Sequence, residues 1–397
     1  MKFIIVFLCL VSTSLFAKID SPLVYLTWTE DPMSTMTIQW LTSNAKTDSS
    51  LFYMRDSKHE KTWNQTSGNY RLLPQDKPYI VHRVVLKNLT PDTIYKFHFG
   101  DKSKVHKFRT MPLDLKKPVR FIVGGDACNT TIDRFRDMSH KASKMSPRFA
   151  IIGGDIAYAA PKEGNAENFS RWCDFFRCWM KDMKDKDGCQ IPLFVAIGNH
   201  EVAGHFGKTP KEAPFYYAFF ERACYDFGFG NYAHFTFLDS GHTHGIKGHQ
   251  KVWIENTLKT HTKYLHRFVT YHVGAYPSVG KFNDHVRDHI RKYWVPIFEK
   301  YRVDACFESH DHAYKRTYPL LQDKPHPDGI VYYGDGSWGV KPREPKEDRS
   351  YIAHTRGVQQ VLVVELYQDK RRFWAVDLEG TEFDHFEQAV RPSGIIP

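Results

Sequence analysis

The chain has 397 residues, enough for two domains and a sizeable buried core. Its composition is 42% hydrophobic, 15% aromatic and 25% charged, which excludes a disordered or collagen-like chain. The formal charge is +10, yet Lys and Arg are spread along the sequence instead of gathered with aromatics on one element. That argues against nucleic-acid binding and leaves two readings, a field that steers anionic substrates or a solvated surface.

Residues 1–17 read as a secretory signal. Lys2 is followed by an apolar run over 3–10, and Leu15-Phe16-Ala17 offers a small residue before a cut. No other stretch reaches the roughly 18 apolar residues of a membrane span, so a soluble, exported protein with no membrane partner is expected. Cys9 falls within the signal, and Cys128, Cys173, Cys178, Cys189, Cys224 and Cys306 remain. An even number of cysteines in an exported chain suggests disulfides, although Cys306, in an apolar strand, reads equally well as a buried free thiol.

Residues 21–112 read as an all-β domain. Thr35-Met36-Thr37-Ile38-Gln39-Trp40 alternates polar and apolar, the period of a half-buried strand. Tyr95, Phe97 and Phe99 repeat the pattern after the turn Thr90-Pro91-Asp92. Residues 113–117 form a short linker. From Pro118 the texture becomes α/β, with strands at 119–123, 149–152 and 193–197 and helices at 132–145 and 168–183. Later strands are expected at 232–238, 268–272, 305–308 and 358–365. The catalytic part is placed at 118–392. Trp172, Phe175, Phe176 and Trp179 are read as helix core, with a leaving-group pocket as the alternative. Asn64, Asn88, Asn129 and Asn168 each begin a glycosylation-type triplet.

The chemistry lies at the strand ends. Asp126, Asp155 and Asn199 each follow an apolar strand and stand beside glycine, His272 ends another strand, and His310 and His312 follow a fifth. In open α/β sheets the ligand crevice lies at the carboxyl ends of the strands, so these residues should converge. With Tyr158 they make a mixed oxygen and nitrogen set suited to iron, zinc or manganese. A bridging carboxylate and six further ligands can hold two cations about 3.5–4 Å apart, which clamp phosphoryl oxygens and lower the pKa of a bound water to about 7. Taken one at a time, each residue has a plainer reading: a turn aspartate, a packed tyrosine or a core histidine.

Gly125-Asp126, Gly154-Asp155-Ile156-Ala157-Tyr158, Gly198-Asn199-His200-Glu201, Val269-Thr270-Tyr271-His272 and His310-Asp311-His312 together resemble the five-block pattern of the purple acid phosphatases. The blocks stand in that family's order. Leu89-Thr90-Pro91-Asp92-Thr93-Ile94-Tyr95 resembles the signature of the fibronectin type III-like sandwich found in the family's two-domain members. The resemblance implies a fibronectin-like β-sandwich followed by a metallophosphoesterase domain of β-sheets flanked by helices. It implies a ferric ion on Asp126, Asp155, Tyr158 and His312, and a divalent zinc, iron or manganese ion on Asp155, Asn199, His272 and His310. Asp155 would bridge. The implied reaction is hydrolysis of small phosphate monoesters by hydroxide, with Asn199 and His200 contacting the phosphate; a homodimer is allowed.

Three positions depart from the family pattern. Cys128 stands where a glycine is usual, Ser309 replaces the glycine opening the last block, and the histidines expected after His272 are missing. The stretch in question reads Lys281-Phe282 and the next histidine is His285. His200 and His285 are therefore both candidates for the general acid, and Lys281 is a candidate phosphate contact. Two other functions compete: a phosphodiesterase or nucleotide pyrophosphatase of the same superfamily, and a secreted binding module with a structural or vestigial metal site.

Overall fold

Alternating and apolar strand segments pair as their periodicity requires. In the computed structural model, which describes residues 19, 21–100, 104–334, 336–346 and 348–391, strand Met36–Ser43 runs antiparallel between Leu23–Thr27 and Tyr79–Leu86. Asn69–Leu72 completes that four-stranded sheet. A second sheet joins Asn64–Ser67, Ser50–Arg55, Ile94–His98 and His106–Arg109. The backbone N–H of Thr90 donates to Tyr95 Oη at 2.9 Å, pinning the corner that the tyrosine position implies. The expected signal, residues 1–17, lies outside the described residues.

Strand Met36–Ser43 is not half-buried as its alternation suggests. Thr37 and Gln39, its polar positions, are as buried as Ile38 and Trp40. The cause is the next domain, which covers the second face: Gln39 Nε2 and Tyr25 Oη both donate to the carbonyl of Phe219, at 2.9 and 3.1 Å. Trp28 stacks on Phe194 at 5.3 Å and meets the edges of Phe149 and Phe229. Arg71 and Arg83 both pair with Glu221. One apolar cluster therefore runs from the sandwich into the α/β part.

The α/β part is built on two sheets packed face to face. In the first, Leu193–Val195, Ala150–Ile152 and Val119–Gly124 are parallel, and Gln360–Leu366, Lys370–Asp377 and Glu382–Ala389 add antiparallel strands. In the second, Ala233–Phe237, His266–Val273, Ala305–Ser309 and Val331–Gly334 run parallel. Tyr225–Phe229 flanks them on one side and Tyr314–Thr317 with Ile352–Arg356 on the other. Phenylalanines fill the space between the sheets: Phe121 meets Phe235 at 5.2 Å and Phe307 at 6.1 Å. Helices Ile132–Lys144 and Phe169–Asp182 cover the first sheet, and His249–Thr260, His285–Tyr293 and Val295–Lys300 belong with the second. Asn168 caps the 169–182 helix by accepting from the Ser170 N–H at 2.9 Å. Trp172, Phe175, Phe176 and Trp179 are fully buried in its packing, which rules out the leaving-group-pocket alternative.

The expected disulfides are absent among the described residues. All six cysteines are free thiols, five of them buried. Burial pushes the Cys128 thiol up to about 12, and the residue belongs to the buried apolar cluster that also holds Phe135 and Trp338. It is a small core hydrophobe. Among the described residues no helix is long and apolar enough to cross a membrane.

Candidate active site

Five strand ends deliver the seven predicted side chains to one place. The turns are coupled by backbone pairing beyond the sheet, with Asp126, Ala127 and Cys128 N–H donating to the carbonyls of Gly154, Asp155 and Ile156. Glu201 fastens the third turn to the second. Its carboxyl accepts from the N–H groups of Gly198, Ile156 and Ala157 at 3.1, 2.8 and 3.3 Å. Burial, reinforced by Asp155, pushes that carboxyl up to about 8.

Each aspartate commits one oxygen to the backbone and turns the other inward. Asp126 Oδ2 accepts from His310 N–H at 2.8 Å, leaving Oδ1 3.1 Å from Tyr158 Oη and 3.0 Å from His312 Nε2. Asp155 Oδ1 accepts from His200 N–H at 2.8 Å, leaving Oδ2 3.3 Å from His272 Nε2. His272 places its Nδ1 2.8 Å from the carbonyl of Gly153, which assigns a proton to that nitrogen and turns Nε2 toward the cluster. Around Nε2 stand Asn199 Oδ1 at 3.1 Å, His310 Nδ1 at 3.3 Å and Asp155 Oδ2. So many acceptors facing one another in a buried space repel unless a cation or a proton lies between them.

The electrostatics follow from this crowding. Burial pushes the Tyr158 phenol well above its ordinary range, and Asp126 and Asp155 push it further. Burial alone would raise Asp155, but His272 and His200 overrule it and hold the carboxyl well below the usual range. Burial alone would depress His272, and Asp155 instead lifts it to about 9. Five of the seven also have left-handed backbone. Asp126, Asp155, Tyr158, His310 and His312 have φ of +54°, +53°, +49°, +78° and +62°. Each left-handed non-glycine residue costs about 1–3 kcal/mol, held in place only by the surrounding hydrogen bonds.

The donor atoms fall into two groups, with Asp155 Oδ2 beside the second. Asp126, Tyr158 and His312 form one, and Asn199, His272 and His310 the other. The chemistry of this donor set fits two cations. Ser309, the departure in the last block, is accommodated: Gly125 and Gly153 face it, and a Cβ on either would stand 2.1 or 2.5 Å from Ser309 Oγ.

The remaining predicted residues separate. His200 lies at the cluster, its ring stacked on Tyr158 at 4.4 Å and its Nδ1 3.0 Å from the Ala160 carbonyl. His285 does not join it. It is exposed at the start of helix His285–Tyr293, its ring against His289 at 4.0 Å. Lys281 is exposed as well, and among the described residues no contact ties either side chain to the seven. The loop carrying Lys281 is drawn instead toward Asp311, which accepts from Gly280 N–H at 2.9 Å.

Two histidines beside the cluster were missed. His205 meets His200 with ring centroids 5.1 Å apart, and its buried Nε2 has no partner among the described residues. His242 lies 5.6 Å from the His272 ring, hydrogen-bonds the His205 carbonyl at 3.0 Å, and is lowered to about 4 by burial. His242 follows the strand Ala233–Phe237 and a glycine, the same strand-end signal that marked the other ligands.

Sheets packed face to face and flanked by helices, with the seven candidate side chains at the strand ends, are consistent with the calcineurin-like fold. Residues 22–110 match the model of the purple acid phosphatase N-terminal domain. The chain is 26% identical over 360 residues to probable purple acid phosphatase 20 of Arabidopsis thaliana, covering 85% of this chain and 81% of that one. It is 27% identical over 328 residues to purple acid phosphatase 15 of the same plant, covering 72% of this chain but only 57% of the relative. The structure of a purple acid phosphatase from yellow lupin (Lupinus luteus) seeds superposes with a TM-score of 0.78 at 16% identity, covering 92% of this chain and 74% of that one. Over its N-terminal domain and across most of its length the chain is similar to purple acid phosphatases, and its two-domain layout fits theirs.

Proposed function

We propose that the protein hydrolyses small phosphate monoesters at a two-metal centre and is exported after loss of residues 1–17. The observation that carries this reading is the ring of acceptor atoms around His272 Nε2, which only a cation or a proton can reconcile. Asp126, Asp155, Tyr158 and His312 would hold a ferric ion. Asp155, Asn199, His272 and His310 would hold a divalent zinc, iron or manganese ion. When bound, such a pair polarises phosphoryl oxygens and lowers the pKa of a water to about 7.

The chain's own groups do the rest. With Nδ1 engaged by the Ala160 carbonyl, His200 keeps Nε2 turned to the cluster, where it contacts the phosphate and hands a proton to the leaving oxygen. His205 stands beside it, and Phe206 packs on His242 at 4.7 Å and closes that side of the site. The overall charge of +10 favours approach of anionic esters.

The test is metal analysis, a visible spectrum and side-by-side rates on a monoester, a diester and ATP. About two metals per chain, a band lost in Tyr158→Phe, fastest turnover of the monoester and no turnover in Asp155→Ala are expected. Faster cleavage of the diester or ATP would reassign the same site to the phosphodiesterase reading. Full turnover in a folded Asp155→Ala variant would remove the metal mechanism altogether.

A further inference from the structure

A second group of ligand-type side chains lies at the other end of the seven-stranded sheet. Asp226 comes from the edge strand Tyr225–Phe229, His234 from Ala233–Phe237, and His261 caps the C-terminus of helix His249–Thr260. Each offers one ligand atom, and the three atoms lie within 4.8 Å of one another. Asp226 Oδ2 is 3.0 Å from His234 Nε2, and the His261 ring stacks on His234 with centroids 4.0 Å apart. His234 pairs in register with Arg267, five residues before His272 on the neighbouring parallel strand. At roughly 3.3 Å per residue this puts the trio about 16 Å from the candidate active site.

The hydrogen bonds prepare these imidazoles as ligands. His261 Nδ1 lies 2.8 Å from the carbonyl of Thr257, one turn earlier in its helix. That contact assigns the proton to Nδ1 and leaves Nε2 with its lone pair, the arrangement found behind metal-bound histidines. His234 is almost fully buried, which favours its neutral form. His234 Nε2–H donates to Asp226 Oδ2, and because Nδ1 has no partner among the described residues, the proton can pass to Nδ1 when a cation takes its place between them. A tetrahedral ion with bonds of about 2.0–2.1 Å needs ligand atoms about 3.3 Å apart. The 3.0 Å gap between Asp226 and His234 opens to that by a small swing of the half-exposed carboxylate. A cation here also meets the favourable end of the helix dipole.

We propose that Asp226, His234 and His261 form a separate transition-metal site that takes zinc, with water in the fourth position, and staples the sheet's edge strand to the end of the helix. Two imidazoles and a carboxylate are a zinc-type set, too nitrogen-rich for calcium or magnesium.

The experiment uses the full chain with its strand-end centre already saturated, dialysed free of loose metal and then titrated with zinc alone. Metal content, thermal unfolding and turnover of a phosphate monoester are read for the wild type, Asp226→Asn and His261→Ala. Both replaced residues are half-exposed, and the first change keeps the side chain's shape. The wild type should take up one further zinc and gain about 3 °C in Tm at zinc 100-fold above its Kd. Both variants should lose the uptake and the gain while keeping wild-type turnover. Equal zinc uptake in all three proteins, or none in the wild type, would overturn the proposal.

Discussion

Arg287 reaches Asp311 at 2.7 Å with both side chains buried, and Asp311 is the residue between His310 and His312. The same guanidinium donates to the Gly274 carbonyl at 2.8 Å, so helix His285–Tyr293 and the loop after His272 are tied to the turn that carries two predicted ligands. Replacing Arg287 by Met leaves a buried carboxylate unpaired. We expect a loss of about 3–5 kcal/mol in urea unfolding. In the fraction that still folds, kcat should fall by roughly 100-fold, because displacing ligands by about 1 Å is enough for that.

The pair also sets a pH dependence. Burial alone would raise the Asp311 carboxyl, but Arg287 first and His310 second hold it at about 2, against an ordinary value of 3.8. A carboxyl lowered by folding stabilises the fold above its unfolded value and loses that contribution as pH falls through the folded one. The window therefore runs from about pH 4 down to about pH 2, and the contribution is about 2 kcal/mol. Urea midpoints followed across that window should drop in the wild type and change less in Arg287→Met.

Ser309 and Gly125 offer a double-mutant cycle. A methyl group at position 125 would meet Ser309 Oγ at 2.1 Å and Ser309 Cβ at 2.8 Å, with the next neighbour, the Gly153 carbonyl carbon, at 3.4 Å. Gly125→Ala should cost about 1–3 kcal/mol from overpacking. Ser309→Gly should restore most of that, giving a coupling of about 1 kcal/mol or more by calorimetry. Additive effects would show that the clash is relieved elsewhere.

The two candidate acids separate by position. His200→Ala should reduce kcat by about 10²–10⁴ on a substrate with a poor leaving group, and much less where the leaving group needs no proton. His285→Ala, on an exposed helix start, should change turnover by no more than about twofold. A large effect at His285 would require that helix to approach the cluster during turnover.

The framework that carries the candidate ligands was legible because short runs such as Ala150–Ile152 and Leu193–Val195 are wholly apolar and buried and stop just before a polar candidate, in three cases beside a glycine. Physical constraint writes that pattern directly, since both faces of a central parallel strand must be apolar. The strands Lys370–Asp377 and Glu382–Ala389 were not legible, because their charged residues satisfy one another across an edge, as Arg372 with Glu387 does at 2.6 Å. The burial of Gln39 was hidden for a different reason: its partner, the Phe219 carbonyl, is 180 residues away. His205 and His242 lie outside the five blocks. Their roles depend on which loops meet, and no local pattern records that.

The apolar cluster that joins the two halves has a practical consequence for the linker at 113–117. Leu113 is 61% exposed and open to a protease, whereas Leu115 beside it is anchored in the shared interior. A chain nicked there should still elute as one particle and unfold in one transition, because Trp28 wedged among Phe149, Phe194 and Phe229 carries more of the connection than the peptide does. Only with Trp28→Ala in addition should the two pieces come apart. The N-terminal sandwich is thus an inner wall of the molecule, and a severed backbone would not make it a separate one.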